Sequence, residues 1–289
     1  MSNVLIVTDS ISGITSDIAK EYNIRVVPGA NIIFDGKSYP DGVSITAEEA
    51  YEMAQKDADK FSTSTLTPGY LLDLYRQFSK ESDKIVVINF SSAVSAAYTI
   101  ACRAAEMLKK ESPQTDIRVI DSKTVAAGQG LLAIAAAKAA ARGMDIEQII
   151  SFVGETRQQT GCIMMLDTLK YVYRTGRYSK STARIASLLH IKPLNNVTAD
   201  GNFEVFDKVR KRKDGYRRLI DFIKGEAQTD SLYFMIEHAS APELAEELSE
   251  QLSQEFNSLG VIIGPYSPIM GYASGPKCLV VGFQPEMNG

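Results

Sequence analysis

A chain of 289 residues with 45% hydrophobic and 23% charged side chains has ordinary globular composition, with length for one large domain or two ordinary ones. Its net charge of −4 provides no global field toward nucleic acid. The 3 cysteines, Cys102, Cys162 and Cys278, are widely spaced and odd in number, which argues against a disulfide framework or a metal pair and fits reduced thiols of a cytoplasmic protein.

The N-terminal stretch enters a strand at once, over Val4–Val7, with no basic segment leading an apolar one, so no signal peptide is expected. The strand ends in Thr8-Asp9-Ser10, and a helix is predicted from Ser12 to Tyr22. Extended pieces follow at Ile24–Pro28 and Ala30–Phe34, then a hairpin turn at Asp35-Gly36-Lys37 and a loop at Tyr39–Gly42. Thr46 with Glu48 and Glu49 reads as the capped start of a helix reaching about Asp59. Phe61–Pro68, rich in hydroxyls, reads as a loop able to offer donors to an oxyanion or simply to face solvent. Pro68 then suits the first position of a helix ending near Lys80.

Ile85-Val86-Val87-Ile88 has the continuous apolar, β-branched character of a strand buried on both faces. After Phe90, Ser91 and Ser92 are N-cap residues for a helix predicted over Ala93–Lys110. Free amide groups in a first helical turn attract negative charge, so Ser91, Ser92 and Ser95 mark either an anion site or ordinary capping. Ile117–Ile120 is a further strand ending in Asp121-Ser122, and Val125–Ala141 an alanine-rich helix. Its apolar stretch from Leu131 to Ala141 is too short to span a bilayer, so no stable membrane insertion is expected. Another helix begins at Met144–Glu147. The alternation of strands and helices predicts an α/β fold: a parallel sheet with helices on both faces, with ligands at the carboxyl ends of its strands.

The character changes near Gly161, where a domain boundary is expected, giving an N-terminal domain over 1–160 and a C-terminal domain over 161–289. The second half reads as a strand at Cys162–Leu166, helices at Asp167–Tyr173 and Ala183–Leu189, and extended segments at Ile191–Leu194 and Phe203–Val209. A helix ends near Gly225, followed by a strand at Leu232–Glu237, a helix at Ala241–Ser258, and strands at Val261–Tyr266 and Cys278–Phe283. The hairpin-like order predicts a mixed or antiparallel sheet.

No GxGxxG or GxxxxGK[ST] loop and no G-x-S-x-G elbow occurs. The 2 histidines, His190 and His238, lack metal spacing and read as structural, so no metal, cofactor or catalytic residue is assigned. Arg210–Lys213 has no interleaved aromatics and reads as a solvated or protein-docking face, not a nucleic-acid contact. Tyr171, Tyr173 and Tyr178 around Arg174 and Arg177 are candidates for the mouth of a pocket or for a packing cluster.

Taken together, the segments have a family resemblance. Thr8-Asp9-Ser10, Thr63–Pro68, Ser91–Tyr98, Asp121-Ser122 with Gly128-Gln129-Gly130, Leu169–Arg177, Ile191-Lys192-Pro193, Val209–Arg212 and Gly275-Pro276 resemble, in order, the motifs of the DegV family of bacterial fatty-acid-binding proteins. The resemblance implies a two-domain α/β protein that buries a long-chain fatty acid in a tunnel and is not itself an enzyme. It implies a separate ATP-dependent kinase partner that makes an acyl-phosphate for phospholipid synthesis. By position, Thr63, Ser64 and Ser92 would hold the carboxylate, Ser95 and Ser274 would complete the ligand set, and Arg177 would lie near the head group or at the kinase interface. Ala273 stands where the family motif HTGPG has its histidine, and Lys277 is a candidate replacement for the positive charge. Two alternatives remain at this stage: an enzyme acting on a small anionic metabolite through Asp9 or Asp121, and a lipid-responsive regulator that contacts its partner through Arg210–Lys213.

Overall fold

In a computed structural model, the chain is described over residues 4–57, 60–168, 171–172 and 191–286. The N-terminal half is built on a parallel sheet of β1 (Val4–Asp9), β2 (Ile24–Val27), β6 (Lys84–Asn89) and β7 (Asp116–Asp121), in the order β2-β1-β6-β7. Alternation along the strands sorts their side chains to two faces. Leu5, Val7, Ile85 and Val87 pack on the helices α3 (Pro68–Phe78) and α4 (Ala97–Glu111). Val4, Ile6, Val86 and Ile88 pack on α5 (Ala126–Ala141) and α6 (Ile146–Arg157). Ile85 to Ile88 are all fully buried, which at about 1.5–3 kcal/mol per side chain makes this strand a major anchor of the half.

Because the sheet is parallel, β1, β6 and β7 end on one edge, as the sequence predicts. Two local expectations are corrected there. Ser10–Ser12 is a 3-10 turn capped by Asp9, and the following helix is α1 (Ser16–Glu21), capped by Thr15. The helix after β6 starts at Ala97, not Ala93, with Ala96 as an N-cap that makes no side-chain bond. Ser91 and Ser92 therefore lie in the connection before the helix.

A second, three-stranded antiparallel sheet in the order β4-β3-β5 joins β3 (Asn31–Phe34), β4 (Lys37–Pro40) and β5 (Phe61–Ser64). The Asp35-Gly36 hairpin is present, with both residues at positive φ. The hydroxyl-rich segment read as a loop is in part strand β5, with Thr63 opposite Ile32 and Ser64 opposite Asn31. Helix α2 (Ala47–Lys56), with its Thr46–Glu49 capping box, packs on this sheet.

The second half carries a mixed six-stranded sheet, β10-β9-β8-β13-β11-β12. Its strands are β8 (Gly161–Met165), β9 (Lys192–Val197), β10 (Phe203–Val209), β11 (Ser231–His238), β12 (Asn257–Pro265) and β13 (Leu279–Pro285). All pairs are antiparallel except β11 with β12, which are parallel. Helices α7 (Arg212–Glu226) and α8 (Pro242–Glu255) cover one face through Leu219, Ile223, Leu248 and Leu252. The other face, including Cys162, Met164, Met235 and Val280, packs on Ala126, Ala127 and Leu131 of α5. Thus α5 is a layer shared by the two large sheets, which its near-continuous apolar character requires. Glu237 also reaches across this junction. Gly13 (φ 65°) leaves room for its carboxyl, since a Cβ there would come within 2.5 Å of it. A short helix not anticipated from sequence, α9 (Pro268–Ser274), precedes β13. The helices expected at Asp167–Tyr173 and Ala183–Leu189, together with Arg174, Arg177, Tyr178 and His190, lie wholly or partly outside the described residues.

Candidate functional site

A cavity of about 410 Å³ lies between the two halves. The N-terminal half supplies Ile11, Phe61, Phe90 and Val94, and the C-terminal half supplies Met164, Phe203, Ile269 and Met270. One wall is different in kind. Ser62, Thr63, Ser64 and Thr65, on and just after β5, bring consecutive hydroxyl side chains to the lining. None of these four side chains has a hydrogen-bond partner among the described residues. Ser95 and Ser274 also line the cavity. The Ser95 hydroxyl oxygen accepts from the Ala97 amide at 3.1 Å. The lining contains no charged side chain among the described residues. Ala273 faces the cavity, whereas Lys277 is exposed and is not part of its wall.

The expected site residues are thus divided. Thr63, Ser64, Ser95 and Ser274 come together around one space. Ser92 does not line it. Its hydroxyl donates to the Asp121 carboxylate, whose Oδ1 also accepts from the Ser92 amide at 3.1 Å. Lys123 Nζ completes this group, 2.9 Å from Asp121 Oδ2 and 3.3 Å from Ser92 Oγ. Burial alone would push the Asp121 carboxyl up, but the hydrogen bonds from Ser92 and Lys123 outweigh it and hold the group below its usual range. Arg177 lies outside the described residues.

Two buried carboxyls stand behind the cavity wall. Asp9 Oδ1 accepts from the Ile11 amide at 3.1 Å, and Oδ2 accepts from Asn89 Nδ2 at 2.7 Å and from the Phe90 amide at 3.0 Å. This stitches together the carboxyl ends of β1 and β6. Asp41 accepts from Ser10 Oγ at 2.5 Å and from the Ile269 amide at 3.1 Å. Burial pushes both carboxyls up to about 6, and for Asp41 the charge of Asp9 adds to the effect. Both are engaged with the groups that shape the wall. His238 is a satisfied structural histidine: Nδ1 accepts from the Ala241 amide at 3.3 Å, and burial lowers its pKa. No cluster of three or more potential metal ligands occurs among the described residues. The basic run of Arg210–Lys213 is not one free surface, because the Arg212 guanidinium turns inward to Asp167 at 2.7 Å and to the Lys277 carbonyl.

The sequence reading missed Phe203 and the α9 residues Ile269, Met270 and Tyr272. Phe203 sits on a strand whose pattern says nothing about a cavity lined by residues distant in sequence. Ser267 before Pro268 is a cap-and-Pro signal that could have located α9.

The profile of a family described as uncharacterised proteins of the DegV family matches residues 3–286. A DegV domain-containing protein of Caldanaerobacter subterraneus subsp. tengcongensis is 34% identical over 286 residues, covering 98% of this chain and 99% of that protein. Among solved structures, the chain is similar to DegV, a fatty acid binding protein from Bacillus subtilis, with 25% identity, a TM-score of 0.86, and coverage of 99% and 100%. It shares its fold with a DegV family protein from Eubacterium eligens loaded with heptadecanoic acid, at 20% identity and a TM-score of 0.88, with coverage of 98% and 100%.

Proposed function

The chain belongs to the DegV family, and on that premise we propose that it binds a long-chain fatty acid, with the acyl chain in the cavity between its halves and the carboxylate held by Thr63 and Ser64. The observation that carries this reading is the cavity itself: apolar side chains from both halves enclose a space whose β5 wall presents hydroxyls with no hydrogen-bond partner among the described residues. A carboxylate accepts several hydrogen bonds, and those to a charged acceptor are the stronger kind. Burial of roughly 14 methylenes at about 0.8 kcal/mol each supplies the affinity from which ordering costs are subtracted. The binding of heptadecanoic acid by a protein of the same fold supports the ligand class.

In this reading Ser95 and Ser274 complete the wall, and Ser92 acts indirectly by fixing Asp121 and Lys123. Arg177 contributes at the head group or at the partner surface. The protein is a carrier without catalytic residues or cofactor, and a separate ATP-dependent kinase forms the acyl-phosphate that enters phospholipid synthesis. The absence of any phosphate-binding loop signature from the sequence supports this division of labour. Unpaired Cys102, Cys162 and Cys278 support a cytoplasmic location, and no helix among the described residues is long and apolar enough to cross a membrane.

Mass spectrometry of lipid extracted from purified protein tests the ligand class. One fatty acid per chain is expected, and an empty extract with no binding of added palmitate or oleate would overturn it. The double variant Thr63→Val with Ser64→Ala tests the head-group assignment. It is expected to weaken palmitate binding at least ten-fold while leaving the fold intact; unchanged affinity would move the carboxylate elsewhere in the cavity.

A further inference from the structure

A second concave site lies away from the cavity just described. It is a crevice of about 270 Å³ where α5 and α6 meet the outer strand β12. Its walls are largely apolar, formed by Leu131 and Ile134 of α5, Phe152 of α6, Ile262 of β12 and Pro285 of β13. Into this setting α5 directs two cations one helical turn apart, Lys138 and Arg142. The Lys138 ammonium lies 4.6 Å from the Tyr233 ring centroid and 5.7 Å from that of Tyr22. Neither cation forms an ion pair among the described residues. A half-buried ammonium held over ring faces retains N–H donors for an acceptor in the crevice. The carboxylate that reaches the lining, Glu286, is on an exposed residue at the end of β13, where solvent screens it.

We propose that this crevice is a second ligand site for a small amphipathic anion, with a carboxylate at Lys138 and Arg142 and a compact apolar body against Ile134, Phe152 and Ile262. The chemistry follows from the lining. A purely apolar ligand would leave the two cations unanswered, and a strongly hydrated polyanion would waste the hydrocarbon walls. The space is about two thirds of that in the first cavity, about 270 against 410 Å³, so the ligand is a shorter chain or a single ring. The first cavity has hydroxyls and no charged lining side chain among the described residues, whereas this one has cations and tyrosines; the two sites therefore differ in selectivity. Both cations sit at the carboxyl end of α5, whose dipole favours positive charge there and stabilises the empty site.

The test uses the full chain with palmitate added, the palmitate content read by mass spectrometry, and octanoate as the probe. Calorimetric titration is expected to give one saturable octanoate site without release of palmitate. Lys138→Met is expected to weaken octanoate binding at least ten-fold, and Arg142→Gln, at an exposed position, several-fold. Octanol, equal in chain length and uncharged, is expected to bind at least ten-fold more weakly than octanoate. Gly260→Val, which adds bulk beside the Tyr233 ring in the crevice, is expected to abolish octanoate binding and leave palmitate content unchanged. No saturable binding, displacement of palmitate by octanoate, equal binding of octanol, or indifference to Arg142→Gln would each overturn the proposal. Palmitate content is read separately, so failure of this site is distinguishable from failure of the fatty-acid reading.

Discussion

Asp9 and Asp41 lie directly behind the cavity wall, and their burial makes the protein's stability depend on pH. Both carboxyls have a reference value of 3.8 and are pushed up to about 6 in the folded chain. Between those values the folded state holds protons that the unfolded state releases. Their contribution to stability is therefore fully present below about pH 4 and is lost as the pH rises through about 6. For an isolated carboxyl, a rise from 3.8 to about 6 corresponds to about 3 kcal/mol. Glu237 extends the decline to higher pH, since burial pushes its carboxyl well up and neither oxygen has a partner among the described residues. The amide introduced by Asp41→Asn can still accept from Ile269 N and donate to Ser10 Oγ. That substitution is expected to flatten the urea-unfolding free energy between pH 4 and 6 and to raise it by about 1–3 kcal/mol at pH 7. An unchanged slope would mean that Asp41 does not titrate in this window. The Thr8-Asp9-Ser10 motif is visible in the sequence, but Asp41 reads there only as part of a loop. Its partners Ser10 and Ile269 lie 31 and 228 positions away, and no local pattern encodes such a contact.

The small sheet and α2 are tied to α9 by a few specific contacts beside the cavity. Tyr51 Oη donates to the Tyr266 carbonyl at 2.6 Å, Tyr272 Oη donates to the Phe61 carbonyl at 3.1 Å, and the Tyr272 ring stacks on Phe61 with centroids 3.9 Å apart. Gly271 makes the approach of α2 possible, because a Cβ there would lie 2.0 Å from the Tyr51 ring. Gly271→Ala is expected to displace Tyr51, cost about 1–3 kcal/mol, and speed fatty-acid release; unaltered stability and release in stopped-flow displacement would remove α9 from any gating role. Tyr272→Phe keeps the stack and loses one hydrogen bond, so a smaller loss of about 0.5–1.5 kcal/mol is expected in denaturant unfolding. These elements were also the hardest to read. The four hydroxyls of Ser62–Thr65 look like a loop, and β5 is a strand because β3 offers it a partner. The seven-residue α9 has two glycines within and just after it, which hide its helical pattern. In contrast, Ile85–Ile88 was legible because burial on both faces demands an uninterrupted apolar run. Ser91 and Ser92 misled for a related reason: they are good caps followed by helix-forming residues, yet Asp121 engages Ser92 and the helix begins five residues later.

At the scale of the molecule, the cavity is a joint between two sheets, and its occupant is expected to act as part of the core. Ile11, Phe61 and Phe90 belong to one half, and Met164, Phe203 and Ile269 to the other. An acyl chain touching both sets binds only when the halves are in place, so it stabilises the folded state through mass action. At a free ligand concentration of about 100 times Kd the gain is about 2.7 kcal/mol, and for a chain of this size the melting temperature is expected to rise by roughly 4–5 °C. The shared helix α5 gives a second, independent junction between the large sheets, so the lipid-free protein is expected to remain folded and not to separate into two unfolding units. Scanning calorimetry of stripped and palmitate-loaded protein decides this. One transition in both states, shifted upward on loading, is the expected result. Thr63→Val with Ser64→Ala should shrink the shift without altering the lipid-free transition, since the hydroxyls of those residues bond no other described residue. Two transitions in the stripped protein would show that α5 alone does not join the halves and that the lipid does. A loaded protein that melts with the stripped one would mean that the chain is not held in the joint at all.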